Sequence, residues 1–146
     1  MTKIAFTICS INYLAQAKTL GDSLIKHNPD YTFFIGLVDK LSSSNVDSSK
    51  LPDYELVEIE KLGIEGFEDM FDRYNITELN TAVKPFFLQY FYNTYPEAQS
   101  VSYLDPDIEV FQPLSDLDKS LEQYSLVLTP HTLSPYPDSL NPKERD

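Results

Sequence analysis

The chain has 146 residues, 42% hydrophobic and 23% charged, which suits one domain able to bury roughly 68–70% of its unfolded surface and excludes disordered, collagen-like and coiled-coil designs. Its 23 acidic and 11 basic side chains leave a formal net charge of −12, so a nucleic-acid backbone or an anionic bilayer is repelled and no nucleic-acid partner is expected. Cys9 is the single cysteine, which excludes an internal disulfide framework and a Cys-rich zinc site and suits a reducing cytosol.

In chain order, the run Ile4–Cys9 is almost continuously apolar, as in a strand covered on both faces. Leu14, Ala17, Gly21 and Leu24 then recur at helical spacing between Tyr13 and Lys26, and His27-Asn28-Pro29-Asp30 stops the helix. A second buried-type strand, Phe33–Val38, ends at Asp39. Together these predict a right-handed βαβ unit with parallel strands. Leu41–Lys50, with five serines, reads as a loop or poor helix, and Tyr54–Ile59 alternates like a strand with one wet face at a sheet edge.

Phe67, Met70, Phe71 and Tyr74 keep helical spacing within Gly66–Tyr74, and Thr77 is positioned to cap a helix starting at Glu78. Pro85 predicts either a break at Lys84, with the proline at the first helical position, or a kink, after which an aromatic-rich helix runs over Phe86–Tyr95. Val101–Leu104 is a further strand, Leu117–Tyr124 a short helix and Leu126–Thr129 a last strand. Residues 1–131 thus form the expected α/β domain, and 132–146 a polar, proline-containing tail. The apolar runs fall far short of the ~20 residues that span a bilayer. Met1–Lys3 opens straight into a strand-like run with no signal-peptide plan, so the chain is expected to be cytoplasmic and not transmembrane.

The sharpest chemical feature is Asp105-Pro106-Asp107, placed directly after the strand Val101–Leu104, at the end of a parallel sheet where ligands bind. Two carboxylates one residue apart can share Mg²⁺ or Mn²⁺, whose remaining ligands would be water and diphosphate oxygens; the alternative is a solvated turn. An EF-hand loop fails because Val110 stands where glycine is required, and a haloacid-dehalogenase pattern fails at Glu109. Four glycines permit neither a P-loop nor a G-x-G-x-x-G turn. A diphosphate would therefore need a metal bridge and a cation such as Lys84, which otherwise is a solvated lysine at a helix end.

At the other rim, Ser10 and Asn12 can read the polar edge of a base while Tyr13 stacks on it, although Asn-Tyr is equally a helix start. Asp39 either holds ribose hydroxyls or closes an ordinary turn. His131 reads as a hydrogen-bonded loop histidine or a ligand, Asn75-Ile76-Thr77 as an unused glycosylation pattern, and Cys9 as an inert core thiol.

Taken together, Phe6–Tyr13, the strand ending Leu37-Val38-Asp39, Thr81–Pro85 and Ser102–Val110 resemble the N-terminal half of a GT-A glycosyltransferase. The nearest type is the bacterial nucleotide-diphospho-sugar transferase similar to glycogenin and lipopolysaccharide galactosyltransferases. The resemblance covers about residues 3–131, and Tyr-Leu-Asp-x-Asp is its most telling motif. It implies a three-layer α/β fold with a mostly parallel sheet. Ile4–Cys9 and Val101–Leu104 would be central in it, with the ligand crevice where their C-terminal ends meet.

The resemblance further implies that Ile8, Ser10, Asn12 and Tyr13 hold the base and ribose, with Asp39 nearby, that Lys84 touches the donor, and that Asp105 and Asp107 bridge Mn²⁺ or Mg²⁺ to the diphosphate of a UDP-type sugar. Ser10 stands where these enzymes often carry an acidic residue. Their longer catalytic domain has a C-terminal half that supplies acceptor contacts and usually a third metal ligand, and this chain is expected to stop before it. The implied function is metal-dependent sugar transfer to an unidentified acceptor; the alternative is a non-catalytic nucleotide-binding or assembly module, and a homo-oligomer stays open.

Overall fold

The computed structural model describes residues 2–130. The chain divides into two compact units, Met1–Pro113 and Leu114–Asp146. In the first, β1 (Lys3–Cys9), α1 (Leu14–His27), β2 (Tyr31–Leu37), β3 (Glu55–Glu58), α2 (Phe67–Arg73), α3 (Ile76–Ala82), α4 (Lys84–Thr94) and β4 (Ser100–Tyr103) follow one another. The second contains α5 (Ser115–Gln123). His131 and the tail 132–146 lie outside the described residues.

The four strands form a sheet of order β3-β2-β1-β4 in which every pairing is parallel. Parallel pairing explains the apolar runs, because crossover helices cover both faces and leave no wet side for polar residues. Alternation along β1 and β2 assigns the faces. Ile4, Phe6, Ile8 and Phe34 join Val83, Phe87 and Phe91 in one buried cluster. The Phe6 and Phe34 rings lie 4.8 Å and 4.9 Å from the Phe91 ring, so α4 is clamped onto that face by aromatic contacts. Phe33 points the other way, toward α1, where a Cβ on Gly21 would fall 2.7 Å from its ring. Helices therefore flank the sheet on both faces, an α/β architecture as expected, and β3 is an edge strand as its alternation predicts.

Four expectations are corrected. β1 is central, but β4 is an edge strand of the described sheet, pairing only with β1; buried-type sequence marks a strand without fixing its place in the order. The helix expected at Glu78 starts at Ile76, because Asn75 forms a capping box. Its side-chain oxygen accepts the Thr77 and Glu78 N–H groups at 3.0 Å, while Glu78 accepts the Asn75 N–H at 2.9 Å. The break before Pro85 lies at Val83 instead of Lys84. Lys84 opens α4 and the proline follows within its first turn, where a missing amide costs no hydrogen bond. Finally, Leu126–Thr129 forms no strand: Leu126, Val127 and Leu128 are exposed, and no ladder partner is present among the described residues.

Candidate functional site

At the C-terminal end of β1 the backbone turns sharply. Ser10 O accepts the Tyr13 N–H at 2.9 Å, closing a single 3₁₀ turn over Ile11–Tyr13 that feeds α1. Asp39, just past β2, holds that turn from the side, its Oδ2 accepting the Ile11 N–H at 2.6 Å. Within the turn the Ser10 hydroxyl donates to Asn12 Oδ1. This bond fixes the Asn12 carboxamide and leaves its NH₂ as the available donor. Tyr13 is 44% exposed, a ring free to stack. Tyr13 occupies the N-cap position of α1, so Asn12-Tyr13 does stand at a helix start, but neither the Ser10 nor the Tyr13 side chain makes a capping hydrogen bond.

At the neighbouring strand end, Leu104 N–H reaches Phe6 O at 2.9 Å, the last link to β1 before the chain turns through Asp105–Ile108. The Tyr103 hydroxyl donates to Asp105 Oδ1 at 2.8 Å. Lys84, projected from the start of α4, places Nζ 3.5 Å from the same oxygen and 4.3 Å from the centroid of the Tyr103 ring.

These groups line one cavity of about 650 Å³ at the carboxyl ends of β1, β2 and β4, within the ~300–1,000 Å³ common for small-ligand sites. Its wall holds Ile8, Ser10, Asn12 and Tyr13 from the β1 end, Asp39 from the β2 end, Lys84 from α4, and Asp105 and Asp107 from beyond β4. The eight residues to which the resemblance gives a role thus converge, although no two of these segments are adjacent in the chain. Sequence reasoning missed Tyr103, Asn80 and the threonines Thr77 and Thr81, which also line it. The α3 residues carried a readable signal, since Thr77, Thr81 and Lys84 recur at steps of four and three. Tyr103 opens the Tyr-Leu-Asp-x-Asp motif but was given no role of its own, since its side chain reads as an ordinary strand residue.

Three carboxylates face the cavity against one ammonium, so its field favours a cation. Burial, with the Asp105 hydrogen bond and the charges of Asp105 and Asp107 adding to it, holds the Tyr103 phenol far above its ordinary range, and it remains an O–H donor. Burial and then the Asp39 charge push Cys9 up to about 12. Cys9 is therefore a thiol at neutral pH and no nucleophile, in keeping with an inert core cysteine.

No group of three or more His, Cys, Asp or Glu side chains converges among the described residues. Asp105 and Asp107 would accordingly offer a metal two hard carboxylate donors. That set fits Mg²⁺ or Mn²⁺, which retain waters and take substrate oxygens, and does not fit ions that need a full protein cage. No described helix is long and apolar enough to cross a membrane.

No protein-family model matches the chain. The uncharacterized protein YfnF of Bacillus subtilis (strain 168) is 27% identical to it over 129 residues, which cover 88% of this chain and 43% of that protein. The chain thus spans less than half the length of this relative.

Proposed function

We propose that this chain is the donor-binding half of a GT-A-type glycosyltransferase that uses a nucleotide-diphosphate sugar, of UDP type, and a divalent cation. One observation carries the reading: Ser10, Asn12, Tyr13, Asp39, Lys84 and the pair Asp105 and Asp107, drawn from separate segments, line a single cavity at the carboxyl edge of a parallel sheet. In this assignment Tyr13 stacks on the base, with the Asn12 amide donating to its edge, and Asp39 faces the ribose with the carboxylate oxygen that Ile11 does not use. Lys84 neutralises diphosphate charge. Asp105 and Asp107 would hold Mn²⁺ or Mg²⁺, which supplies Lewis-acid stabilisation of the leaving diphosphate. The protein's own contribution is to fix the donor's orientation and to surround its charge with preset groups.

A second reading, a non-catalytic nucleotide-binding or assembly module, is favoured by the two-carboxylate set, since a cavity with donor contacts alone can bind without turning over. Calorimetry with UDP and CDP, with and without Mn²⁺, followed by an assay for sugar release, separates them. Mn²⁺-dependent UDP binding with transfer or hydrolysis supports the enzyme. Binding without either supports the module, and no binding of either nucleotide overturns both.

A further inference from the structure

On the cavity wall one aromatic side chain, Tyr103, touches both the Lys84 ammonium and the Asp105 carboxylate. Tyr103 is seated against the core by an edge contact to Phe6, with centroids 5.5 Å apart and planes at 61°. From that seat its face carries the Lys84 ammonium at 4.3 Å and its hydroxyl donates to Asp105 Oδ1 at 2.8 Å. Lys84 lies 3.5 Å from that oxygen, a distance at which an ion pair with a 61% exposed carboxylate holds little on its own. The tyrosine is thus the rigid member of the trio.

We propose that Tyr103 is a positioning residue for the ligand of this cavity: its hydroxyl fixes Asp105 through Oδ1 so that Oδ2 is presented to a divalent cation, while its ring holds Lys84 for the diphosphate. The inference rests on the function proposed above. Two effects of the hydroxyl oppose each other. Donation to the carboxylate withdraws some of the charge that a cation would feel, whereas fixing the rotamer removes the freedom an exposed aspartate must lose on binding. Orientation wins, because outer-shell partners of metal ligands are worth about 10–100-fold in metal affinity.

The test is Tyr103→Phe, which keeps the ring, its Phe6 contact and the Lys84 stacking and removes the hydroxyl alone. Calorimetric titration with Mn²⁺ in the presence of UDP should show affinity about tenfold weaker than wild type, at the low end of that range because Asp105 is exposed, with an unchanged thermal midpoint. Because Tyr103 acts through Asp105, adding Tyr103→Phe to Asp105→Asn should cause no further loss of UDP binding, a non-additivity that a merely structural role would not produce. Wild-type Mn²⁺ affinity in Tyr103→Phe, or losses that add in the double variant, overturns the positioning role and leaves the proposed function standing. A wild-type chain that binds neither Mn²⁺ nor UDP overturns both.

Discussion

The carboxylate of Asp39 accepts the backbone N–H of Ile11 at 2.6 Å across 28 residues of sequence, tying the turn after β1 to the turn after β2. A residue that reads as an ordinary post-strand aspartate is a clamp on the segment that carries Asn12 and Tyr13. Asp39→Ala leaves the Ile11 amide without its acceptor and should destabilise the fold by about 1.5 kcal/mol, as for a hydrogen bond to a charged group. Asp39→Asn retains a carbonyl acceptor and should lose about half as much. Denaturant midpoints at constant slope check both values, and an Asp39→Ala protein as stable as wild type would show that the turn stands without the clamp.

Gly36 and Gly21 set how closely helices approach the two faces of β2 and its neighbours. A Cβ on Gly36 would lie 2.6 Å and 2.8 Å from ring carbons of Phe87, and one on Gly21 2.6 Å from a ring carbon of Tyr54. Phe87 is fully buried and cannot yield without moving α4; a Gly21 Cβ would also fall 2.7 Å from the buried Phe33 ring, but alanine is the better helix former within α1 by about 1 kcal/mol, which offsets part of that clash. Gly36→Ala should therefore cost about 3 kcal/mol and Gly21→Ala about 2 kcal/mol, both within the usual overpacking range. Equal losses from chemical unfolding of the two variants would contradict this ordering.

Cys9 gives the stability a defined alkaline dependence. Its value rises from 9.0 in the free side chain to about 12 in the fold, through burial and the nearby Asp39 charge. Below pH 9 both states hold the proton and nothing changes. Between pH 9 and 12 the unfolded chain releases it and the folded chain does not, so stability falls as pH rises, by up to about 1.4 kcal/mol per pH unit for one proton. Cys9→Ala should be less stable at pH 8 yet lose less between pH 9 and 10, the raised tyrosines Tyr54, Tyr95 and Tyr103 contributing alike to both proteins. Parallel pH profiles for the two proteins would exclude the thiol as the source. By the same logic, Cys9 in the folded protein should resist alkylation at pH 8.

Reading the sequence recovered what local pattern encodes. The apolar runs of β1 and β2 are continuous because both sheet faces are covered, and that continuity is visible in Ile4–Cys9 without any knowledge of neighbours. Asp105 and Asp107 could be placed at a strand end because the turn follows Tyr103 and Leu104 directly. Strand order was less accessible: Val101–Leu104 reads like a central strand, but its position is decided by which strand it pairs with, and among the described residues it pairs with β1 alone. Leu126–Leu128 shows the same limit, since β-propensity describes a fit to a ladder and no ladder reaches it among the described residues. The role of Tyr103, as distinct from its place in the Tyr-Leu-Asp-x-Asp motif, was hidden for a different reason. Its strand position accounts for the ring against Phe6, whereas the hydroxyl's bond to Asp105 and the lysine above its face depend on the break at Val83 that brings Lys84 to the start of α4.

The Asp105–Asp107 pair is a metal site or a solvated turn, and thermal denaturation distinguishes them. Both side chains are exposed, and the bonds that hold Asp105, from Tyr103 and Lys84, converge on its Oδ1, leaving Oδ2 for a hard cation. A ligand that binds only the folded state stabilises it by RT ln(1 + [L]/Kd), about 2.7 kcal/mol at a hundredfold excess over Kd. A chain of this length converts that into a rise in Tm of roughly 5–10 °C. Mn²⁺ should therefore raise the wild-type midpoint if the pair is a metal site, and UDP should enlarge the rise, because its diphosphate would supply oxygen ligands beyond the two carboxylates and a partner for Lys84. Asp107→Asn keeps the size of the side chain and a carbonyl oxygen while removing the charge, so the Mn²⁺ response should vanish with little change in the metal-free midpoint. Lys84→Met should behave in the opposite way toward the metal alone: with no ammonium 3.5 Å from Asp105, Mn²⁺ by itself binds at least as well, while the extra rise due to UDP is lost. If Asp107→Asn responds to Mn²⁺ and UDP as wild type does, the two acids serve only to turn the chain, and the cation must be sought elsewhere on the cavity wall.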